Sequence, residues 1–256
     1  MKKTLSIVMP VRIDTDERFE NLRTVLAWID QLGCPIIVLE ADVEARLADL
    51  YAQYQHVEWA FAKDVEPVFH RTKYINHLLH RVKTPLAAVW DADIILPLEQ
   101  VIAAVRMTCE KQLTIAYPYF GTFSMMTEEE SAVFRLKRDP SMLRSDQFKP
   151  LMGRRSCGGV YIVDCNSYFS IGGENEKYHG WGPEDAERLR RAQIMGKRVE
   201  WLPKGTAFHL YHRYNISEKM DNNLNLHAMR KEFVRECCMN AEEMHDYIHH
   251  ELLSYK

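Results

Sequence analysis

In the first hundred residues, short continuous apolar runs alternate with stretches where apolar residues recur every three or four positions. Residues 5–9 form the first run, closed by Pro10. Over 16–32, Phe19, Leu22, Val25, Leu26, Ile29 and Leu32 recur at helical spacing until Gly33 stops the pattern. A second run, 35–39, ends at the acids Glu40 and Asp42. A helix over about 43–54, a weaker strand near 57–61 and an amphipathic helix over about 71–82 follow, then the run Leu86-Ala87-Ala88-Val89-Trp90. This alternation predicts right-handed βαβ units and a mostly parallel central sheet flanked by helices, an α/β fold. Ligands of such sheets bind beyond the carboxyl ends of the strands, so the acids after the second strand and after 86–90 are expected on that rim.

Past residue 113 the rhythm changes. Aromatic residues cluster at 117–121, three acids stand at 128–130, and a basic stretch runs from Arg135 to Arg144. A Gly-rich region spans 157–183, and a tail over about 224–253 reads as helical and is rich in His and Met. No repeat or Pro/Ser-rich linker divides the 256 residues, and a chain that is 46% hydrophobic and 27% charged can bury a full core. One fold is therefore expected. The formal charge of −3 argues against a nucleic-acid partner. The opening residues resemble a secretion signal but are short and lack a small-x-small site, and no run approaches the length of a membrane span. Six scattered cysteines without CxxC pairs fit reduced thiols, and so a cytoplasmic protein.

Four groups of residues suggest chemistry. Asp91-Ala92-Asp93 follows a buried-looking strand; on extended backbone both carboxylates would face one side, where a divalent cation would offset their cost. A solvated acidic turn gives the same pattern. Gly180-Trp181-Gly182-Pro183-Glu184-Asp185 sets two acids in the first turn of a helix. There they complement the helix dipole, and the same field keeps a general base ionised. His209 and His212, three apart, can reach one cation or be incidental. Arg12, and Phe69-His70-Arg71-Thr72-Lys73 opening a helix that includes Asn76, can hold phosphate oxygens or form an ordinary solvated face.

Taken in order, these motifs resemble the GT-A-fold glycosyltransferases, the β-1,4-galactosyltransferases above all, with kinship to polypeptide N-acetylgalactosaminyltransferases and bacterial chondroitin-type polymerases. Pro10-Val11-Arg12 resembles the family's Pro-Phe-Arg, 69–73 its Phe-Asn-Arg-Ala-Lys, and 91–93 its DxD. Cys157-Gly158-Gly159-Val160 resembles Phe-Gly-Gly-Val, and 172–185 is similar to its most distinctive signature. The resemblance implies a GT-A fold with a nucleotide-binding half at 1–112, an acceptor and metal half at 113–223 and a helical tail at 224–256. It further implies that Arg12 and Arg71 hold a uridine diphosphate and that Glu40 lies near the nucleoside. Asp93, His209 and His212 would bind the metal, manganese before magnesium, with Asp91 beside it seating the nucleotide sugar. Trp181 would pack against sugar, Glu184 would hydrogen-bond it, Gly159 would let substrate approach, and Asp185 would be the base.

The expected activity is inverting transfer of a hexose, galactose or N-acetylgalactosamine, from a UDP-sugar to a glycan or lipid-linked acceptor. Peripheral membrane contact through the basic run 135–155 would suit a lipid-linked acceptor at the inner face of the membrane. A non-catalytic nucleotide-sugar or glycan-binding protein on the same scaffold is one rival. A sugar nucleotidyltransferase is the other, and it would carry a Gly-rich loop where Pro10 to Arg18 has no glycine.

Overall fold

The computed structural model describes residues 1–144, 149–150, 155–213 and 216–253. The basic run 135–155 therefore lies partly outside the described residues. The first part of the chain reads β1 (Leu5–Val11), α1 (Asp16–Ile29), β2 (Ile36–Asp42), α2 (Ala48–Tyr51), β3 (Val57–Lys63), α3 (Arg71–Leu79) and β4 (Leu86–Trp90). Then come β5 (Ile94–Ile95), α4 (Leu98–Lys111), β6 (Ile115–Tyr117), β7 (Thr122–Met125), α5 (Glu128–Lys137), β8 (Lys149–Pro150), β9 (Val160–Asp164) and α6 (Cys165–Phe169). Last are α7 (Glu184–Ile194), β10 (Val199–Trp201), β11 (Thr206–His209), α8 (Ile216–Cys237) and α9 (Ala241–Tyr247).

Seven strands form the main sheet in the order β10-β6-β9-β4-β1-β2-β3. All pairs are parallel except those of β9, which runs antiparallel to β4 and β6. β1, β2 and β4 are buried along their whole length, which is why their sequences are continuous apolar runs rather than alternating ones. A smaller sheet, β5-β11-β7-β8, stands beside the first. Its β5 follows β4 after only three residues, so the 91–93 turn lies where the chain passes from one sheet to the other.

Local chemistry explains most boundaries. Thr15 caps α1 by accepting the Arg18 N–H, and Gly33 ends the following turn in the left-handed region at φ 61°. Thr127 and Glu130 form a reciprocal capping box at the start of α5. Pro10 does not close the first strand but lies inside it. Pairing of β1 with β4 stops at Val8, so the missing N–H of Pro10 falls where β1 has lost that neighbour. The helix expected over 43–54 contracts to the four residues of α2. The chain after β2 is instead held by carboxylates: Asp42 Oδ1 accepts the Val43 N–H and Glu40 Oε1 accepts the Arg46 N–H. The tail is not one helix. It breaks after α8, and Asn240 caps α9 through a second capping box with Glu243.

Candidate active site

The 91–93 turn has partners on three sides. Asp91 is not on extended backbone: its C=O accepts the Ile94 N–H at 3.3 Å, closing a turn. The Asp91 N–H donates to the Gly159 C=O at 2.9 Å, and the Leu210 N–H donates to the Asp93 C=O at 2.8 Å. These bonds bring the DxD residues, the 157–160 motif and the late histidines together, although more than a hundred residues separate the turn from Leu210.

The two acids take different partners. Arg71, first residue of α3, donates to Asp91 Oδ1 from Nε at 3.1 Å and from Nη2 at 2.6 Å. Burial opposes the Arg71 charge, but Asp91, then Asp185, Tyr161 and Glu184 hold its pKa well above the ordinary value. Its Nη1 is buried without a hydrogen-bond partner. Burial pushes the Asp91 carboxyl up against the pull of Arg71. Asp93 instead faces the imidazoles: Oδ2 lies 3.2 Å from His212 Nε2 and 3.7 Å from His209 Nε2. Burial works against its charge, but His209 and His212 hold it well below the usual carboxylate range. One ligand atom from each of Asp93, His209 and His212 lies within 4.8 Å of the others, and His209 Nδ1 is buried without a partner.

The loop carrying His212 is fixed from outside the site. Asn21 Nδ2 on α1 and Arg135 Nη2 on α5 both donate to the Tyr211 C=O, at 3.1 and 2.8 Å, and the Tyr211 N–H donates to Ser131 Oγ at 2.8 Å. Part of the middle segment thus supports the metal-ligating candidates.

Opposite stands the 172–185 signature, docked on α3. Thr72 Oγ1 donates to the Tyr178 C=O at 2.8 Å. Asn76 Nδ2 donates to the Glu174 C=O at 2.9 Å, and Asn76 Oδ1 accepts the Glu174 N–H at 2.8 Å. His70 Nε2 lies 2.9 Å from the Glu176 C=O oxygen, and its ring packs on His179. The helix that presents Arg71 is therefore the helix that holds the signature segment. Behind the segment, Glu174 is fully enclosed: Tyr161 and Tyr168 hydroxyls each donate to its Oε1 at 2.5 Å, and Arg188 Nη1 reaches both oxygens at 3.2 Å. Arg188 Nη2 also donates to Asp185 Oδ1 at 2.5 Å, which orients that carboxylate. A Cβ at Gly158 would come within 2.0 Å of Asp185 Oδ2, so only glycine leaves Asp185 its place. Glu184 Oε2 accepts the Gly182 N–H at 3.1 Å, and burial, then Asp185, push its carboxyl up to about 8.

Three expected roles are revised by these contacts. Each nitrogen of Arg12 has a partner inside the protein: it donates to the Ala41 C=O at 3.0 Å, the Glu66 C=O at 2.8 Å and Asp64 Oδ2 at 2.5 Å. It ties the ends of β1, β2 and β3 together, which is a structural task beside any phosphate contact. Glu40 is buried, with its oxygens taken by the Arg46 N–H and by Trp59 Nε1 at 3.1 Å. Gly159 has φ +73°, and a Cβ there would meet Phe123 Cζ at 2.3 Å, so its missing side chain makes room for Phe123 rather than substrate. Trp181 is 71% exposed, as an aromatic platform requires. Thr72, Gly158, Glu174 and Arg188 stand in or beside the quoted motifs but carried no expected role of their own. The Asp185–Arg188 spacing of three on one helix was the available signal; nothing local marked Glu174 as buried.

Comparison with known proteins adds three findings. Residues 140–213 match the family described as the N-terminal domain of galactosyltransferase. A probable N-acetylgalactosaminyltransferase 9 of Caenorhabditis elegans is 28% identical over 211 residues, covering 72% of this chain and 36% of the relative. The chain thus spans about a third of the length of that curated relative. Among solved structures, a Drosophila β-1,4-galactosyltransferase 7 point mutant in complex with manganese, UDP-Gal and xylobiose superposes with TM-score 0.53 at 16% identity, covering 82% of this chain and 72% of that one. GalNAc-T7 with UDP, GalNAc and Mn2+ gives TM-score 0.56 at 12% identity, covering 82% and 44%. The chain has the GT-A fold of these structures, and its resemblance to galactosyl- and N-acetylgalactosaminyltransferases holds in sequence and in fold. Among the described residues, no helix is long and apolar enough to cross a membrane.

Proposed function

We propose that this chain is a metal-dependent glycosyltransferase that moves a hexose, galactose or N-acetylgalactosamine, from a UDP-sugar to a hydroxyl of a glycan or lipid-linked saccharide, with inversion. The observation that carries this reading is the convergence on one turn of a guanidinium at Asp91 and a carboxylate–imidazole set at Asp93, with Asp185 close enough to act on the charge of both Arg71 and Asp91. In this reading residues 1–112 serve the nucleotide and 113–223 the metal and acceptor. The absence of a disulfide among the described residues suits a cytoplasmic setting, with lipid-linked acceptors met at the inner membrane face.

The donor set of one carboxylate oxygen and two imidazole nitrogens fits a divalent ion, manganese better than magnesium, and the orphaned His209 Nδ1 leaves that ring unsatisfied by protein alone. Bound there, such an ion would offset charge developing on the leaving diphosphate. Arg71 Nη1, buried and unpartnered, is the donor free to take a phosphate oxygen. Asp185 accepts the acceptor hydroxyl proton on the oxygen that Arg188 does not hold. The acceptor oxygen then bonds to the anomeric carbon as the sugar–phosphate C–O bond breaks and its electron pair leaves with the diphosphate. One displacement inverts the centre, so an α-linked donor gives a β-linked product. Trp181 offers a stacking face to the sugar.

Calorimetric titration with UDP, with manganese or with EDTA, tests the reading. Binding at micromolar Kd that requires manganese, and that His212→Ala weakens at least tenfold together with manganese affinity, is the expected outcome. Absence of UDP binding under both conditions would shift the balance to the non-catalytic glycan-binding rival.

A second expectation concerns Glu184. With its carboxyl pushed up to about 8, it holds a proton at neutral pH and can donate to a sugar hydroxyl. Donor KM is expected to rise as pH passes about 8 and to stay flat across that range in Glu184→Gln. An identical rise in the variant would remove Glu184 from this role.

A further inference from the structure

We propose that Arg155 forms an acceptor subsite for an oxyanion, a carboxylate or phosphate carried by the saccharide whose hydroxyl is glycosylated. The inference deepens the transferase reading and rests on it. Residues 155–158 run without helix or strand into Gly158, the glycine that leaves Asp185 its place. Three residues of extended chain span at most about 10 Å, so Arg155 starts within the reach of a disaccharide from the proposed base.

The side chain is seated, not loose. Gly121 has φ +81°, and a Cβ there would come within 2.6 Å of Arg155 Cβ, so the arginine stem occupies a slot that only glycine leaves open. The next residue is held on both sides: the Ser156 N–H donates to the Gly121 C=O at 2.8 Å, and the Ser156 C=O accepts from Trp201 Nε1 at 2.9 Å. The guanidinium carbon stands 4.3 Å from the Phe120 ring centroid and 5.6 Å from that of Trp201. Trp201 in turn stacks on Tyr117 at 4.6 Å. A guanidinium packed over aromatic rings does not spend its N–H donors on them in hydrogen bonds, and their fork matches carboxylate or phosphate.

Charge balance separates Arg155 from the buried arginines around the site. Arg12, Arg71, Arg188 and Arg191 each face a carboxylate within the protein. Among the described residues, no carboxylate stands within ion-pair distance of Arg155. Phe120, 41% exposed, adds an open apolar face beside the cation. A preset cation next to an aromatic face complements a sugar ring that presents C–H groups on one side and an oxyanion at its edge. A neutral saccharide would use the ring but not the charge.

The test titrates the full chain with three disaccharides that differ only at one sugar: glucuronate-ended, 6-phosphoglucose-ended and glucose-ended. An anionic probe is expected to bind about tenfold or more tightly than the neutral one. Arg155→Gln is expected to abolish that preference, and Arg155→Lys, which keeps the charge but not the fork, to retain part of it. The tighter of the two anionic probes identifies the oxyanion. Equal affinity for charged and neutral probes, no binding of either anionic probe, or a preference that survives Arg155→Gln would overturn the proposal. Manganese-dependent UDP binding by the same preparations separates the two readings. Its loss beside intact Arg155-dependent oxyanion binding removes the transferase reading, and with it the acceptor role, but leaves an oxyanion-binding site; its presence without an anionic preference removes the subsite alone.

Discussion

Asp185→Asn is expected to fold like the parent and to lose about 10²- to 10⁴-fold in turnover, the range that a positioned general base supplies. Asparagine keeps an amide oxygen for Arg188, 2.5 Å away, and fits the same slot against Gly158. It cannot take up a proton from the attacking hydroxyl. In the proposed reading Arg71 and the 91–93 turn hold the UDP, so its Kd is expected to stay within a few-fold. Turnover measured as UDP release, beside UDP affinity, checks both halves, and unchanged turnover would take Asp185 out of the base role. The anomer of the parent's product, read by NMR, is a further check. A retained configuration would require a covalent or front-face route in which Asp185 has a different task.

Glu174→Ala is expected to be the most destabilising single change in the site, by about 3–5 kcal/mol in urea unfolding, the cost of removing one partner from a buried ion pair. Glu174 and Arg188 side chains are 1% and 0% exposed. Of the folding free energy of an ordinary domain, about 5–15 kcal/mol, that is a large share. A loss below about 1 kcal/mol would mean the pair is not what holds the signature segment. The same buried acid gives a direction to pH. Burial raises its pKa, but Arg188, with the Tyr161 and Tyr168 hydroxyls, lowers it further, for a net position below the ordinary carboxylate value. Its folded pKa is thus the depressed one. The stability it contributes is full above the unfolded value, about 4.3, and is lost as pH falls through the folded one.

The first half of this architecture was legible because its signals are local. Continuous apolar runs marked β1, β2 and β4, helical spacing marked α1 and α3, Asp91 and Asp93 follow directly on β4, and Arg71 opens α3. What escaped depends on neighbours distant in sequence. Glu40 reads as an acid at a strand end, yet Trp59 and the Arg46 N–H turn it inward. Pro10 reads as a terminator because sequence does not reveal that the β4 ladder has already stopped at Val8. Glu174 lies in a Gly-rich stretch that looks like loop, and only Tyr161, Tyr168 and Arg188 make it a buried anion. The helix over 43–54 failed for a related reason: side-chain carboxylates satisfied backbone N–H groups that the helix pattern had assigned to itself.

The clasp between the tail and the signature segment bears on the order in which the protein becomes competent. Asn175 Nδ2 donates to Glu236 Oε1 at 3.0 Å and to the Tyr247 hydroxyl at 2.9 Å, and the Tyr178 hydroxyl donates to Glu236 Oε2 at 3.2 Å. Buried amides and hydroxyls without partners are costly, so segment 175–178 gains its final form only when α8 and α9 close over it. Synthesis proceeds from the N-terminus, and β1 to β4, with Arg71 and Asp91, leave the ribosome well before those helices. Vectorial assembly therefore makes the signature segment a late-maturing part of the fold: it is synthesised before α8 and α9 but must wait for them to take its final shape.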